Sequence, residues 1–219
     1  MEICENIKKY REELGEEATL VAISKTKPNS DLMEAYEAGQ RVFGENKIQE
    51  MAEKWESLPK DIQWHMVGHV QRNKVKYMAP FVNLIHAVDS LKLLKEINKE
   101  AEKNERTISC LLQIKIAEED SKFGLEADEA KEILASDEFS DMKNIEITGL
   151  MGMATFSDDE AKVRGEFDYL RSVYHDFKKR HPKFKVLSMG MSGDYKIALT
   201  CGSNMVRIGS AIFGERTYN

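Results

Sequence analysis

Cysteine is scarce in this 219-residue chain, and its three copies, Cys4, Cys110 and Cys201, lie far apart. No C-x-x-C pair is present, so neither a zinc site nor a thioredoxin-like redox centre is indicated. Three buried free thiols are the expectation, and with them a reducing compartment. No apolar run approaches the length that spans a bilayer. The opening Met1-Glu2-Ile3-Cys4-Glu5-Asn6 lacks the basic and apolar regions of a secretory leader, so a cytoplasmic protein is expected. An excess of basic charge is also missing. The net charge of -6 argues against a nucleic-acid partner, because phosphate backbones are held by basic surfaces. There are only four prolines, and no Pro-rich linker or shift in composition divides the chain. One domain over residues 1–219, long enough to bury a substantial core, follows.

What the chain does contain is a repeated alternation of short apolar runs and amphipathic segments. The apolar runs are Thr19–Lys25, Arg41–Asn46, Gln63–Gly68, Leu84–Asp89, Ser109–Lys115, Ile145–Gly152, Lys185–Gly190 and Met205–Gly209. Between them lie helical patterns. Ser30 is a candidate N-cap before Leu32 and Ala35, with Gly39 as the stop. Leu91, Leu94, Ile97 and Ala101 recur at helical spacing. From about Asp158 to Arg180, Phe167, Leu170, Tyr174 and Phe177 do the same, and Pro182 follows the end. These stripes read as core rather than as cofactor contacts. Apolar strands alternating with helices indicate a parallel sheet covered by helices. Eight units in this length favour an α/β fold of the closed (β/α)8 TIM type, with Ile3–Leu14 as an extra N-terminal helix. An open doubly wound sheet for a dinucleotide would carry G-x-G-x-x-G after its first strand, and that turn is absent after Lys25.

In such barrels the chemistry collects at the C-terminal ends of the strands, and phosphate often binds after strands seven and eight. That rule gathers Lys25, Glu45-Asn46, His65, the stretch Ser188–Gly193, Arg207, Gly209 and Ser210. Gly190, Gly193 and Gly209 would let backbone N–H groups approach an anion, with Ser192 and Ser210 adding hydroxyls. Ser210 could open a short helix whose dipole favours phosphate. Equally, the glycines could merely permit tight turns. No G-x-x-x-x-G-K-[ST] sequence supports a P-loop. A lysine at the inner end of a buried strand loses ammonium stability on desolvation, which suits imine formation. From the residues alone, Lys25 could instead be a solvated rim lysine or a partner of Glu45. Lys27 is a rival, but it precedes Pro28 in what reads as the loop after the strand.

Several motifs then converge. Val21-Ala-Ile-Ser-Lys-Thr-Lys-Pro28, Phe43-Gly-Glu-Asn46 with Gln49-Glu50, and Trp64-His65 leading to Gly68, Gln71, Asn73 and Lys74 stand in order. Asp120-Ser-Lys-Phe-Gly124, Gly149-Leu-Met151, Met189-Gly-Met-Ser192 and Gly202–Gly214 follow. Together they resemble the YggS/PROSC family of pyridoxal 5′-phosphate (PLP) homeostasis proteins over nearly the whole chain. The resemblance implies a fold-type III PLP barrel, shared with the barrel domain of alanine racemase. It implies PLP held as a Schiff base on Lys25, its phosphate at Ser192, Gly209 and Ser210, and Arg207 facing the pyridine nitrogen. Asn46 and His65 would lie near the ring. Lys122 would help to handle PLP, or would simply be a solvated loop lysine. The chain departs from the family pattern at Met66, where an aromatic residue is usual, and at His69-Val70, where proline or lysine followed by leucine is usual. Ser210 is often threonine in the family, which keeps the hydroxyl.

The resemblance also separates carrier from catalyst. An arginine at the ring nitrogen accepts no proton, so it discourages the protonated ring that makes PLP a deep electron sink. An alanine racemase of this fold adds a β-rich domain and a tyrosine base from its dimer partner, whereas here the barrel consumes the chain up to Tyr218-Asn219. The expectation is a non-catalytic PLP carrier or regulator, a monomer that serves apo forms of PLP-dependent enzymes. A PLP-dependent racemase and a barrel for another phosphorylated ligand are the alternatives.

Overall fold

The computed structural model describes residues 2–118 and 123–214. The chain opens with α1 (Glu2–Leu14), then β1 (Thr19–Ile23), α2 (Asn29–Glu37), β2 (Val42–Glu45), α3 (Ile48–Ser57) and β3 (Gln63–Met66). A turn of 3₁₀ helix at Arg72–Lys74 runs into α4 (Val75–Met78), followed by β4 (Leu84–Val88), α5 (Leu91–Lys103) and β5 (Ile108–Gln113). Next come α6 (Ala127–Ala135), α7 (Asp137–Ser140), β6 (Ile145–Met151) and α8 (Glu160–Arg180). The last elements are β7 (Val186–Met191), α9 (Tyr195–Thr200), β8 (Met205–Ile208) and α10 (Ser210–Phe213). The strands are parallel and close in sequence order, β8 returning to β1 with Val21 opposite Arg207. All eight expected strands are therefore present, and the barrel is of the TIM type. The described stretch does not include Asp120, Ser121, Lys122, Tyr218 or Asn219, so those readings lie outside it.

Strand pleat sorts the side chains into two cores. Outward residues such as Phe43, Trp64, Met66, Ile85, Leu187, Met189, Val206 and Ile208 pack under the helices. Inward residues form a smaller apolar cluster around Val21, Leu84, Leu111, Met151 and Met205. On β3, β7 and β8 the residues alternating with the outward set are His65, Ser188 and Arg207, all buried. The barrel interior is thus apolar in part and polar in part, and the polar part is what bears on function.

The helices follow their apolar stripes with small shifts. In α8, Phe167, Leu170, Tyr174 and Phe177 are buried, and Asp159 caps the first turn by accepting from Ala161 and Lys162 N–H. In α5 the buried apolar positions are Leu93, Leu94, Ile97 and Ala101, while Leu91 is only half-buried at the first turn. Ser90 caps that helix through the Leu93 N–H. Ser30 does not cap α2. The helix begins at Asn29 with Pro28 at the N-cap position, so Ser30 already lies inside it and donates to Asp31 Oδ1 at 3.4 Å. Gly39 does end that helix. Its φ of +95° accompanies the paired bonds Gly39 N–H to Tyr36 O and Gln40 N–H to Ala35 O of a Schellman turn. All three cysteines are free, but only Cys110 and Cys201 are buried, Cys4 being half-buried on α1.

Candidate functional site

A cleft of about 510 Å³ opens at the C-terminal ends of β1, β7 and β8. Its walls include Lys25, Lys27, Phe156, Ser192, Gly193, Arg207, Gly209 and Ser210. Five of the seven residues singled out from sequence, Lys25, Ser192, Arg207, Gly209 and Ser210, are therefore brought together. Asn46 and His65 do not line this cleft. Asn46 sits half-buried just past β2, its backbone packed so closely against Gly68 that a Cβ there would lie 2.4 Å from Asn46 O.

The β7–β8 wall is shaped by backbone. Pairing of β7 with β8 shifts register between Ser188 and Met191. Gly190 occupies that irregularity with a φ of +98°, and a Cβ there would stand 2.7 Å from the Ala198 methyl. The deviation turns Ser192 toward β8, where its Oγ accepts from Gly209 N–H at 3.4 Å. That is the long limit of a hydrogen bond, leaving the amide available to a better acceptor. Gly209 precedes the four-residue α10, so amides and the hydroxyls of Ser192 and Ser210 meet at one end of the cleft.

Arg207 forms the floor, and it is fixed. One guanidinium nitrogen donates to Ser188 O at 3.0 Å and Ser188 Oγ at 2.7 Å, and the other donates to Gly152 O at 3.0 Å. Burial lowers the Arg207 pKa to about 10, against the opposing charge of Asp194, so the group stays charged at neutral pH. The polar chain continues inward. His86 Nδ1 lies 3.0 Å from Ser188 Oγ, and His86 Nε2 lies 3.0 Å from His65 Nδ1. A guanidinium only donates, so Ser188 Oγ accepts from it, and the hydroxyl proton is then directed to His86 Nδ1. This assigns the His86 proton to Nε2, aimed at His65 Nδ1. The reverse orientation would leave the Ser188 proton with no acceptor along the chain. Both imidazoles are neutral, because burial lowers His65 to about 3 and His86 well below its ordinary value, with the charge of Arg207 adding to the latter.

His86 escaped sequence reasoning. It lies in a strand that reads as uniformly apolar, and only its inward parity marks it.

Lys25 lies two residues beyond β1, half-buried, with the inward parity of Val21 and Ile23. Glu45 is not committed to it. Glu45 Oε1 accepts from Ser24 Oγ at 2.6 Å and from Lys54 Nζ at 2.7 Å. The rival amine, Lys27, donates to Phe213 O at 2.7 Å, closing the end of α10. Among the described residues no group of His, Cys, Asp and Glu could hold a metal, and no helix is long and apolar enough to cross a membrane.

These features match known proteins. Residues 2–217 match the family described as alanine racemase, N-terminal domain. The pyridoxal phosphate homeostasis protein of Aquifex aeolicus is 36% identical over 222 residues, covering 99% of this chain and 96% of that one. The protein of the same name from Escherichia coli K12 is 36% identical over 211 residues, covering 93% and 88%. PipY of Synechococcus elongatus, solved with PLP bound, is 31% identical with a TM-score of 0.88, covering 97% of this chain and all of that one. The chain belongs to the alanine racemase N-terminal-domain family and, within it, to the pyridoxal phosphate homeostasis proteins.

Proposed function

We propose that this protein binds PLP in the β1–β7–β8 cleft and serves PLP homeostasis as a carrier, with little or no catalysis of its own. One observation carries the reading: the amine of Lys25 and the pinned guanidinium of Arg207 share a cleft with Ser192, Gly209 and Ser210. That donor set fits PLP group by group. An amine can hold an aldehyde covalently, and hydroxyls with backbone N–H groups suit a phosphate. A fixed donor at the floor suits an unprotonated ring nitrogen. When bound, PLP supplies a reversible reaction with amines and, if its ring is protonated, an electron sink.

Each residue then has a role. Lys25 would hold the cofactor covalently through its amine. Ser192, Gly209 and Ser210 would take the phosphate. Arg207, an obligate donor, would face the ring nitrogen and disfavour its protonation. His65 would act from behind through His86 and Ser188, whereas Asn46, outside the cleft lining, is given no contact with the ring. An arginine in this position disfavours deep carbanion chemistry, which is why we read a carrier rather than a racemase. The relatives named above are homeostasis proteins, which supports the same reading. We read the chain as a monomer whose own Lys25, Ser192, Arg207, Gly209 and Ser210 supply the donor set. The three free thiols suit a cytoplasmic setting, and apo PLP enzymes there would be the recipients.

The test is cofactor loading and transfer. Wild-type protein mixed with PLP and reduced with borohydride should carry the pyridoxyl mass on the Lys25 peptide, and Lys25→Ala should carry none. Transfer from loaded protein to an apo PLP enzyme should differ between the two; identical behaviour would refute the carrier mechanism. Amino-acid racemisation at roughly 1 per second or faster would instead establish a catalyst.

A further inference from the structure

Lys25 occupies a turn that the surrounding residues have to hold. Lys27 N–H bonds Ser24 O at 3.1 Å, so Ser24–Lys27 form a tight turn with Lys25 and Thr26 at its centre. Thr26 has a φ of +63°, a left-handed conformation that a β-branched residue rarely adopts. Such a residue persists only where its neighbours over-determine it. Here they do, and on both sides of Lys25. On one side Ser24 is fully buried, with its hydroxyl on Glu45 Oε1 at 2.6 Å and its carbonyl on Lys54 Nζ at 2.7 Å. On the other side the Thr26 N–H donates to Glu50 Oε1 at 2.5 Å.

The three groups that do this are themselves one unit. Lys54 is buried on α3, and its ammonium binds Glu45 Oε1 and Glu50 Oε1, each at 2.7 Å. Its three donors thus reach two carboxylates and the Ser24 carbonyl. Glu50 sits one turn before Lys54 on the same helix, so the helix fixes the spacing between the two clamp points. An ionised cluster buried this deeply is costly to assemble, and one that only stabilised the fold could be replaced by apolar residues. Its contacts instead converge on the two residues that flank Lys25.

We propose that Glu50 and Lys54, organised by Glu45, are positioning residues that fix where Lys25 presents its amine. The proposal rests on the reading of Lys25 as the residue that holds PLP. Among the described residues the clamp's hydrogen bonds go to Ser24 and Thr26 and not to the cleft's phosphate end or Arg207, so it governs the reaction of the amine and leaves the rest of the cradle alone. A misplacement of about 1 Å at a reacting group can cost on the order of a hundredfold in rate.

The experiment compares wild type with Glu50→Ala and Glu50→Gln, variants at the partly exposed end of the cluster. Two ligands separate amine from cradle: PLP, which can link to Lys25, and pyridoxine 5′-phosphate, which carries an alcohol in place of the aldehyde and cannot. Glu50→Ala should slow borohydride-trappable linkage at Lys25 by about tenfold or more, with pyridoxine 5′-phosphate affinity changed less than about twofold. Glu50→Gln, which keeps an oxygen for Thr26, should recover part of the rate. In the ligand-free chain, amide exchange at Thr26 should rise by about tenfold in Glu50→Ala while β5 amides stay unchanged. An unchanged linkage rate, or an equal loss of both ligands, would overturn the proposal. So would unchanged exchange at Thr26. Failure of the wild type to link PLP at Lys25 would overturn the functional reading itself, and the exchange measurement would still register whether the clamp holds the turn.

Discussion

Two buried polar systems approach the cleft, one beneath β7 and β8 and the other behind β1 and β2. The first runs His65–His86–Ser188–Arg207 across the barrel interior, with its one formal charge on Arg207 and two neutral imidazoles. The second is ionic, with Lys54 set between Glu45 and Glu50 and tied to Ser24. The neutral chain depends on every donor finding an acceptor; the ionic cluster depends on charges staying paired. Glu45 Oε2, buried without a hydrogen-bond partner among the described residues, is the imperfect point of the second system. Each system is therefore vulnerable at a different kind of group. An orphaned hydrogen-bonding group costs less than an orphaned buried charge.

Removing Lys54 does the most damage to the ionic cluster. Lys54→Met leaves the Glu45 carboxylate buried beside a hydroxyl alone, and should lower folding stability by about 3–5 kcal/mol. Urea denaturation measures this. Combining it with Glu45→Leu, which removes the stranded charge, should recover most of the loss. A double variant as unstable as the single one would mean that the cost lies in packing and not in charge.

Acid distinguishes the two systems by sign. His65 titrates at about 3 in the folded chain against an ordinary 6.5. As pH falls below 6.5 the unfolded chain takes up protons first, so stability is lost on the way down. Between pH 6.5 and 4.5 this amounts to about 2 kcal/mol from His65, the slope rising toward roughly 1.4 kcal/mol per pH unit once the unfolded chain is fully protonated, with His86 acting in the same direction. Glu45 works oppositely. Burial raises its pKa above 4.5 despite the charge of Lys54, so its folded form takes the proton first and falling pH returns some stability. Wild type should therefore weaken toward acid, and His65→Gln/His86→Gln should flatten that limb in denaturation series across the same range. A double variant with the wild-type acid limb would remove the histidines from the account.

The barrel was legible because its strands are buried on both faces and read as apolar runs whatever their partners. Lys25, Ser192, Arg207, Gly209 and Ser210 were legible for a related reason: the barrel topology gathers strand ends. What escaped was whatever depends on a partner far along the chain. Ser24 and Lys54 are 30 residues apart, and a lysine on a charged helix reads as solvated until its neighbours are known. His86 is hidden among apolar neighbours, its partner Ser188 lying 102 residues away. Strand limits slipped as well. The first run reads through to Lys25, yet the ladder of β1 ends at Ile23 because the chain turns at Ser24. Asn46 and His65 follow the same logic of strand ends and parity, but neither is among the residues that line the cleft.

The mildest break falls on Ser188, where the neutral chain joins the arginine. Ser188→Ala removes one bond from Arg207, which keeps those to the carbonyls of residues 188 and 152, so the guanidinium stays near its place. It also leaves His86 Nδ1 without its donor in a fully buried site. The expected cost is about 1–3 kcal/mol, clearly below that of Lys54→Met, because the stranded group is neutral. Ser188→Thr, which restores the hydroxyl and adds only a methyl, should lie between Ser188→Ala and wild type in the same urea series. The tautomer order adds a finer check by nitrogen-15 NMR of the imidazoles: wild type should show His86 protonated at Nε2, and Ser188→Ala should free His86 to exchange tautomers. A wild-type signal from His86 protonated at Nδ1 would reverse the direction of the chain and remove Arg207 as the group that orders it.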